Sequence, residues 1–198
     1  VKNEERWIEH SIKSVYDFCD EIVIFDDNST DNTNKICSKF DKVVDIHTKT
    51  DSSFNESRDR NLLLNMALKR KPDMLLSLDG DEIFLPGSEK IIDEEIDILH
   101  PDSKVFEFQL LTLWDSLDKI RFDGLTSSFW QKRMFRLKDQ PSELKISDSP
   151  YPGNFHCGSI PNNTVGMDNS VKSNAKIFHC ASFDESLRNK KYKWYISR

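Results

Sequence analysis

Apolar and polar residues alternate along the first half of this chain in two rhythms. Over 4–19, Trp7, Ile8, Ile12, Val15, Tyr16 and Cys19 recur at helical spacing and predict an amphipathic helix. Residues 21–26 (EIVIFD) form a short run rich in β-branched and aromatic side chains, the pattern of a buried strand. The polar turn DDNSTDNT follows, and Ser29, Thr30 and Asp31 supply caps for a helix over 31–40. Residues 42–46 read as a strand, 55–70 as a helix with Leu62, Leu63, Met66 and Ala67 inward, and 73–78 as a strand that runs into Asp79, Gly80, Asp81 and Glu82. Residues 1–3 read as the end of a strand whose beginning precedes Val1.

The second half has a different texture. A helix is predicted over 87–98, a long strand over 104–114, strands over 131–137 and 176–179, and a basic helix over 184–195. Between them, 139–175 is rich in Pro, Ser, Asn, Gly and Asp, a loop long enough to suggest function or disorder. Alternation of helix and strand predicts an α/β fold whose central sheet is mostly parallel and covered by helices on both faces. In such sheets ligands gather beyond the carboxyl ends of the strands. Both acidic clusters, Asp26–Asp27 and Asp79–Asp81, fall at such ends.

Composition narrows the function classes. With 198 residues, 37% hydrophobic and 31% charged, the chain suits one domain, 1–198, with a sizeable core. No apolar run approaches the ~20 residues needed to cross a bilayer, and no leader segment is evident. A net charge of −6 argues against nucleic acid as a partner. It leaves room for a small anionic substrate, because a divalent cation reverses the local field. Four dispersed cysteines form no CxxC pair, so a reducing, cytoplasmic setting is expected, with peripheral membrane association compatible.

Two carboxylates one residue apart at a strand end can face a single hard cation. Mg²⁺ and Mn²⁺ prefer oxygen ligands and keep positions open for phosphate oxygens. Gly80 between them permits close approach to the backbone. A solvated acidic turn is the plainer reading of Asp79 and Asp81, and the strand-end placement favours the cation. Asp27 and Asp26 can accept hydrogen bonds from a base or a ribose, or can cap the next helix.

The ordered segments VKNEERWIEHSI, EIVIFDDNSTDNT, ESRDRNLLLNMAL and DMLLSLDGDEIF together resemble the N-terminal half of glycosyltransferase family 2. The resemblance covers residues 1–85 well and the remainder loosely. It implies a GT-A fold, a Rossmann-like three-layer α/β/α arrangement, with 1–85 as the nucleotide-sugar half and 86–198 as the acceptor half. It further implies metal-dependent, inverting transfer of a sugar from a nucleotide diphosphate donor, expected to be a UDP-sugar, to a hydroxyl of a glycan, lipid or protein.

Carried onto this chain, the resemblance places Glu4, Asp26 and Asp27 at the nucleotide, with Asp27 reading the base. Either Arg58 or Arg60 would lie near base and phosphate. Asp79 would meet ribose or metal, and Asp81 would be the principal metal ligand. His179 would complete the metal shell, with His156 the weaker candidate, while Arg188 and Lys191 approach the diphosphate. An inverting transfer needs a base, and Asp115, Asp118 and Asp123 lie in a suitable region, Asp115 and Asp123 foremost. Trp114, Phe129, Trp130 and Phe135 could stack on sugar, although burial is the commoner fate and is expected for Trp114.

Three other readings remain open. A sugar-phosphate nucleotidyltransferase would need a glycine-rich loop near the first strand, and none is visible. A dehalogenase-type phosphatase would carry its DxD after the first strand. A catalytically inactive GT-A module would bind without turnover. A zinc site from His156–Cys157 and His179–Cys180 is disfavoured, since adjacent side chains on a strand point to opposite faces.

Overall fold

A computed structural model describes residues 1–51, 53–123, 129–149 and 157–196, with the side chains of 194 and 195 excepted. The order of elements is α1 (Ile8–Val15), β1 (Ile22–Asp26), α2 (Thr33–Cys37), β2 (Val43–Thr48), α3 (Glu56–Lys69), β3 (Met74–Leu76), β4 (Glu82–Phe84), α4 (Ser88–Glu94), β5 (Val105–Thr112), β6 (Trp130–Arg136), β7 (Val171–His179) and α5 (Glu185–Ile196). A π-helical turn, Glu95–Leu99, extends α4.

The α/β expectation holds, while the sheet is mixed rather than mostly parallel. Strands β1 and β2 pair in parallel as a two-stranded unit. The larger sheet runs β3-β6-β5-β7-β4, with β5 and β7 parallel and the other three pairings antiparallel. The reason lies in the second half. Strand β4 follows the acidic turn directly and turns back against β7, and β6 returns between β3 and β5. Strand β7 begins at Val171, five residues earlier than the sequence predicts, because Ser173 and Ala175 alternate inward before the apolar run proper.

Helix α1 buries Ile8, Ser11, Ile12 and Val15, one face at helical spacing, against Ile24 and Cys37 on one side and Phe84 on the other. The main core joins Phe84, Phe106, Phe108, Leu110, Met134 and Ile177. Phe84 and Phe108 meet edge to face at 5.2 Å. Asn55 caps α3 by accepting the Arg58 N–H at 3.0 Å. The inward row of α3 is Arg60, Leu64 and Leu68, which places Leu62 on the opposite side, where it is exposed; the expectation of an inward Leu62 is corrected by that rotation. A cavity of about 520 Å³ lies between β1 and β3, lined by Ile12, Ile24, Leu63, Met74, Leu76 and other apolar side chains. Arg60 and Gly80, next to the second acidic turn, are also among its lining residues. Among the described residues, no helix is long and apolar enough to cross a membrane.

Candidate active site

Residues 1–4 run between the two acidic strand ends. Val1 accepts the Asp27 N–H at 2.8 Å on one side. On the other, Gly80 abuts it so closely that a Cβ there would stand 2.8 Å from Val1 Cγ1 and 3.1 Å from Glu4 Cγ. A larger residue at position 80 would therefore have to displace the Val1 side chain. Residues 1–4 thus touch both the turn at Asp27 and the turn at Gly80, with Glu4 beside the second.

The first strand end is heavily neutralised. Asp27 takes Lys49 Nζ at 2.6 Å on Oδ1 and Lys2 Nζ at 3.0 Å on Oδ2. Partial burial works against ionisation, yet the two lysines hold the carboxyl below its ordinary range. Lys49 is itself buried and also reaches Asp59 Oδ2 at 3.0 Å. Asp26 has a different task from the nucleotide contact expected of it. It is fully buried, accepts the Ser29 N–H at 3.2 Å and Asn34 Nδ2 at 2.7 Å, and thereby shapes the turn into α2. Asp31, one residue before the N-cap Asn32, takes the Thr33 N–H at 2.9 Å.

The second strand end contains one saturated aspartate and one bare one. Asp79 is held on both oxygens, by Arg60 Nη2 at 3.3 Å and Arg133 Nη2 at 3.2 Å. Burial opposes its charge, but these guanidiniums keep its carboxyl well below the usual range. Arg60 also binds Glu56 at 2.7 Å. Arg58 points elsewhere, to Asp59 at 2.7 Å and Ser53 at 3.0 Å, so Arg60 is the arginine that reaches the acidic turn. Arg133 contacts Glu82 as well, and Glu82 Oε2 accepts the Asp79 N–H at 3.1 Å. Burial raises Glu82 to about 8 against the pull of Arg133, with Asp79 and Asp81 adding to the rise.

The carboxylate of Asp81 accepts no hydrogen bond from any described residue. Register explains what lies near it: Glu82 pairs with His179 across β4 and β7, and the Asp81 carbonyl takes the Cys180 N–H at 2.9 Å. His179 Nε2 stands 3.6 Å from Asp81 Oδ2, too far for a hydrogen bond. Burial lowers the pKa of His179, an effect that Lys191 reinforces and Asp81 opposes, which favours the neutral imidazole that can donate a lone pair to a metal. Glu4 is raised to about 8, first by burial and then by the charge of Asp81. The Asp81 carboxylate and the His179 imidazole are side chains of the kind that bind divalent cations. Among the described residues, no group of three or more His, Cys, Asp or Glu side chains is placed to hold one.

Helix α5 brings its basic residues to this end. Lys191 acts on His179 and Lys190 on Glu4. Arg188 is engaged differently from expectation: it stacks on Trp114 at 4.1 Å and pairs with Asp115 Oδ1 at 2.8 Å. Trp114 is half-buried between arginines rather than in the core, with Arg121 over its ring at 5.2 Å. Asp115 follows the strand that lies beside His179, and adopts φ 61°, a left-handed conformation uncommon for a non-glycine residue. Asp123 pairs with Arg121, and Asp118 takes Ser116 Oγ. His156 lies outside the described residues, and Cys180 is buried among Trp7 and Leu113.

The model of glycosyl transferase family 2 matches residues 1–97, the segment that carries both acidic strand ends, Glu4 and Arg60. Residues 1–97 belong to glycosyl transferase family 2. No curated protein matches the chain significantly. Among solved structures, S. aureus TarS 1-349 is similar at 19% identity with a TM-score of 0.52, over 91% of this chain and 58% of that one. S. aureus TarS 1-349 in complex with UDP is similar at 22% identity with a TM-score of 0.46, over 62% of this chain and 36% of that one. The chain thus spans less than two thirds of the length of either. The first of these likenesses extends the fold, GT-A, past the family 2 segment into β5, β6 and β7.

Lys49 and Arg133 were not singled out in the sequence. Each is a cation that becomes meaningful only beside its buried acids. No local signal marked Arg133, which stands beside Lys132 and close to Arg136 in the strand run QKRMFR.

Proposed function

We propose that this chain is a metal-dependent, inverting glycosyltransferase that moves a sugar from a nucleotide diphosphate donor, a UDP-sugar, to a hydroxyl acceptor. The observation that carries the proposal is Asp81: a carboxylate without hydrogen-bond donors, 3.6 Å from a neutral His179, at the strand-end turn of a family 2 domain. Asp81 and His179 would hold Mn²⁺ or Mg²⁺. Bound there, the cation supplies Lewis-acid stabilisation of the charge on the departing diphosphate. Lys191, close to His179, adds positive charge on the same side. Asp27, with Lys2 and Lys49, faces the nucleoside end. Glu4 and Arg60 border the space between, and Asp79 is an anchor rather than a metal ligand because both its oxygens are taken.

Asp115 is the preferred base for the acceptor hydroxyl. It leaves the strand neighbouring His179; each of the two candidates is paired with an arginine, Asp115 with Arg188 and Asp123 with Arg121, so position alone favours Asp115. The acceptor is a hydroxyl of a glycan, lipid or protein. The pairing of Asp115 with Arg188 supports a second reading, a GT-A domain that binds a nucleotide sugar without turning it over.

Incubation with a panel of nucleotide sugars and acceptors, with Mn²⁺ and with chelator, tests the proposal. Mn²⁺-dependent release of UDP with an inverted glycosidic product is expected. Binding of UDP-sugars without turnover would select the second reading, and pyrophosphate release would replace both with nucleotidyl transfer.

A further inference from the structure

Arg133 stands in the second half of the chain, on β6, outside the segment that matches family 2. Its side chain is almost wholly buried. Three hydrogen bonds leave its two terminal nitrogens: to Asp79 Oδ2 at 3.2 Å, to Glu82 Oε1 and to Ser159 Oγ. Its Nε–H is buried with no partner. A guanidinium that leaves one donor unpaired while reaching two carboxylates is placed by those carboxylates and not by its own satisfaction.

The geometry gives this grip a consequence. Asp79 and Glu82 bracket Gly80 and Asp81, and Glu82 Oε2 closes the bracket on the Asp79 N–H at 3.1 Å. The turn that presents Asp81 is therefore fastened at both ends by one side chain from the acceptor half. Arg60 secures the far oxygen of Asp79 at 3.3 Å, from the nucleotide half. With both oxygens of Asp79 held, Asp81 is left as the carboxylate of this turn with no donor on it.

We infer that Arg133 is a positioning residue of the donor site, holding the Asp79–Glu82 turn so that Asp81 stays aimed at the cation and the sugar nucleotide. The inference rests on the proposed function for the identity of the ligand. It assigns to the C-terminal half a direct part in ordering a turn that the N-terminal half contributes.

The test is Mn²⁺ titration by electron paramagnetic resonance, with and without UDP, on the full chain and three variants, alongside thermal melting and donor kinetics. Arg133→Lys keeps charge but cannot span both acids. Arg133→Met removes the grip and leaves two acids facing each other. The double variant Arg133→Met with Glu82→Gln removes the grip and the stranded acid together, which guards against simple misfolding. Loss of an outer partner of a metal ligand typically costs ~10–100-fold in affinity. A roughly 10-fold weaker Mn²⁺ affinity in the presence of UDP is expected in the double variant at near-native melting temperature. Donor KM should rise and the Lys variant should recover part of the loss. Native Mn²⁺ affinity and KM in a folded double variant would overturn the inference. If the unaltered chain binds no Mn²⁺ with UDP, the proposed function fails first, and that result is distinguishable from a loss confined to the variants.

Discussion

The two acidic strand ends look alike in the sequence and differ in the structure. At the end of β1, Asp26 is buried in a turn and Asp27 is covered by Lys2 and Lys49, so every carboxylate has its cation or its hydrogen bonds. At the end of β3, Asp79 is saturated by two arginines while Asp81, two residues on, has none. Aspartate at a strand end is thus no index of metal binding. What separates the two places is the supply of counter-charge. Asp81 is the carboxylate that this supply does not reach, and the proposed cation would sit there.

Several changes would break or sharpen that contrast. The largest effect is expected from Asp79→Ala. It takes one carboxylate from buried Arg133 and from half-buried Arg60, while each keeps its glutamate, a loss of about 3 kcal/mol for hydrogen bonds to a charged group, read as a drop of about 10 °C in melting temperature. Asp81→Asn should do the reverse: leave melting unchanged or slightly improved, since it removes an unpaired charge, while weakening Mn²⁺ binding by about 100-fold. Calorimetry on the two variants separates them. At the other end, Lys49→Met leaves Asp27 with Lys2 alone and Asp59 without the lysine, and should cost about 2 kcal/mol in chemical denaturation. Gly80→Ala pushes a methyl into Val1 and Glu4 and should cost about 1–3 kcal/mol.

A further prediction is a pH slope. Glu4 is raised in the folded chain, to about 8, so the fold binds its proton more tightly than the unfolded chain does. Its contribution to stability is complete below about 4.5, the ordinary value for glutamate, and is lost as pH rises through 8. Glu4→Gln should flatten the melting-temperature profile between those limits in metal-free protein. Asp79 acts oppositely: its contribution is present above its ordinary value and is lost only in strong acid.

Much of the first half was legible because its signals are local. The rhythm of Trp7, Ile8, Ile12 and Val15 set α1, and the apolar run 22–25 set β1. The acidic turns were visible as motifs. The choice between Arg58 and Arg60 was not, because both lie on α3 and only the helix rotation that brings Leu64 inward tells them apart. The mixed sheet was illegible for a similar reason: β4 is three residues long, and its antiparallel pairing with β7 joins positions almost a hundred residues apart. Trp114 was expected in the core from its apolar neighbours, but it is only half-buried, with Arg121 from the following loop and Arg188 from α5 against its ring.

Diffraction at the manganese edge, from crystals grown with UDP and Mn²⁺, tests the central claim most directly. The account predicts one anomalous peak in contact with the Asp81 carboxylate and His179, bridging to the diphosphate, with Asp79 still bound to Arg60 and Arg133. A peak held by Asp79 or Asp27 instead, or UDP bound with no manganese at Asp81, would contradict it.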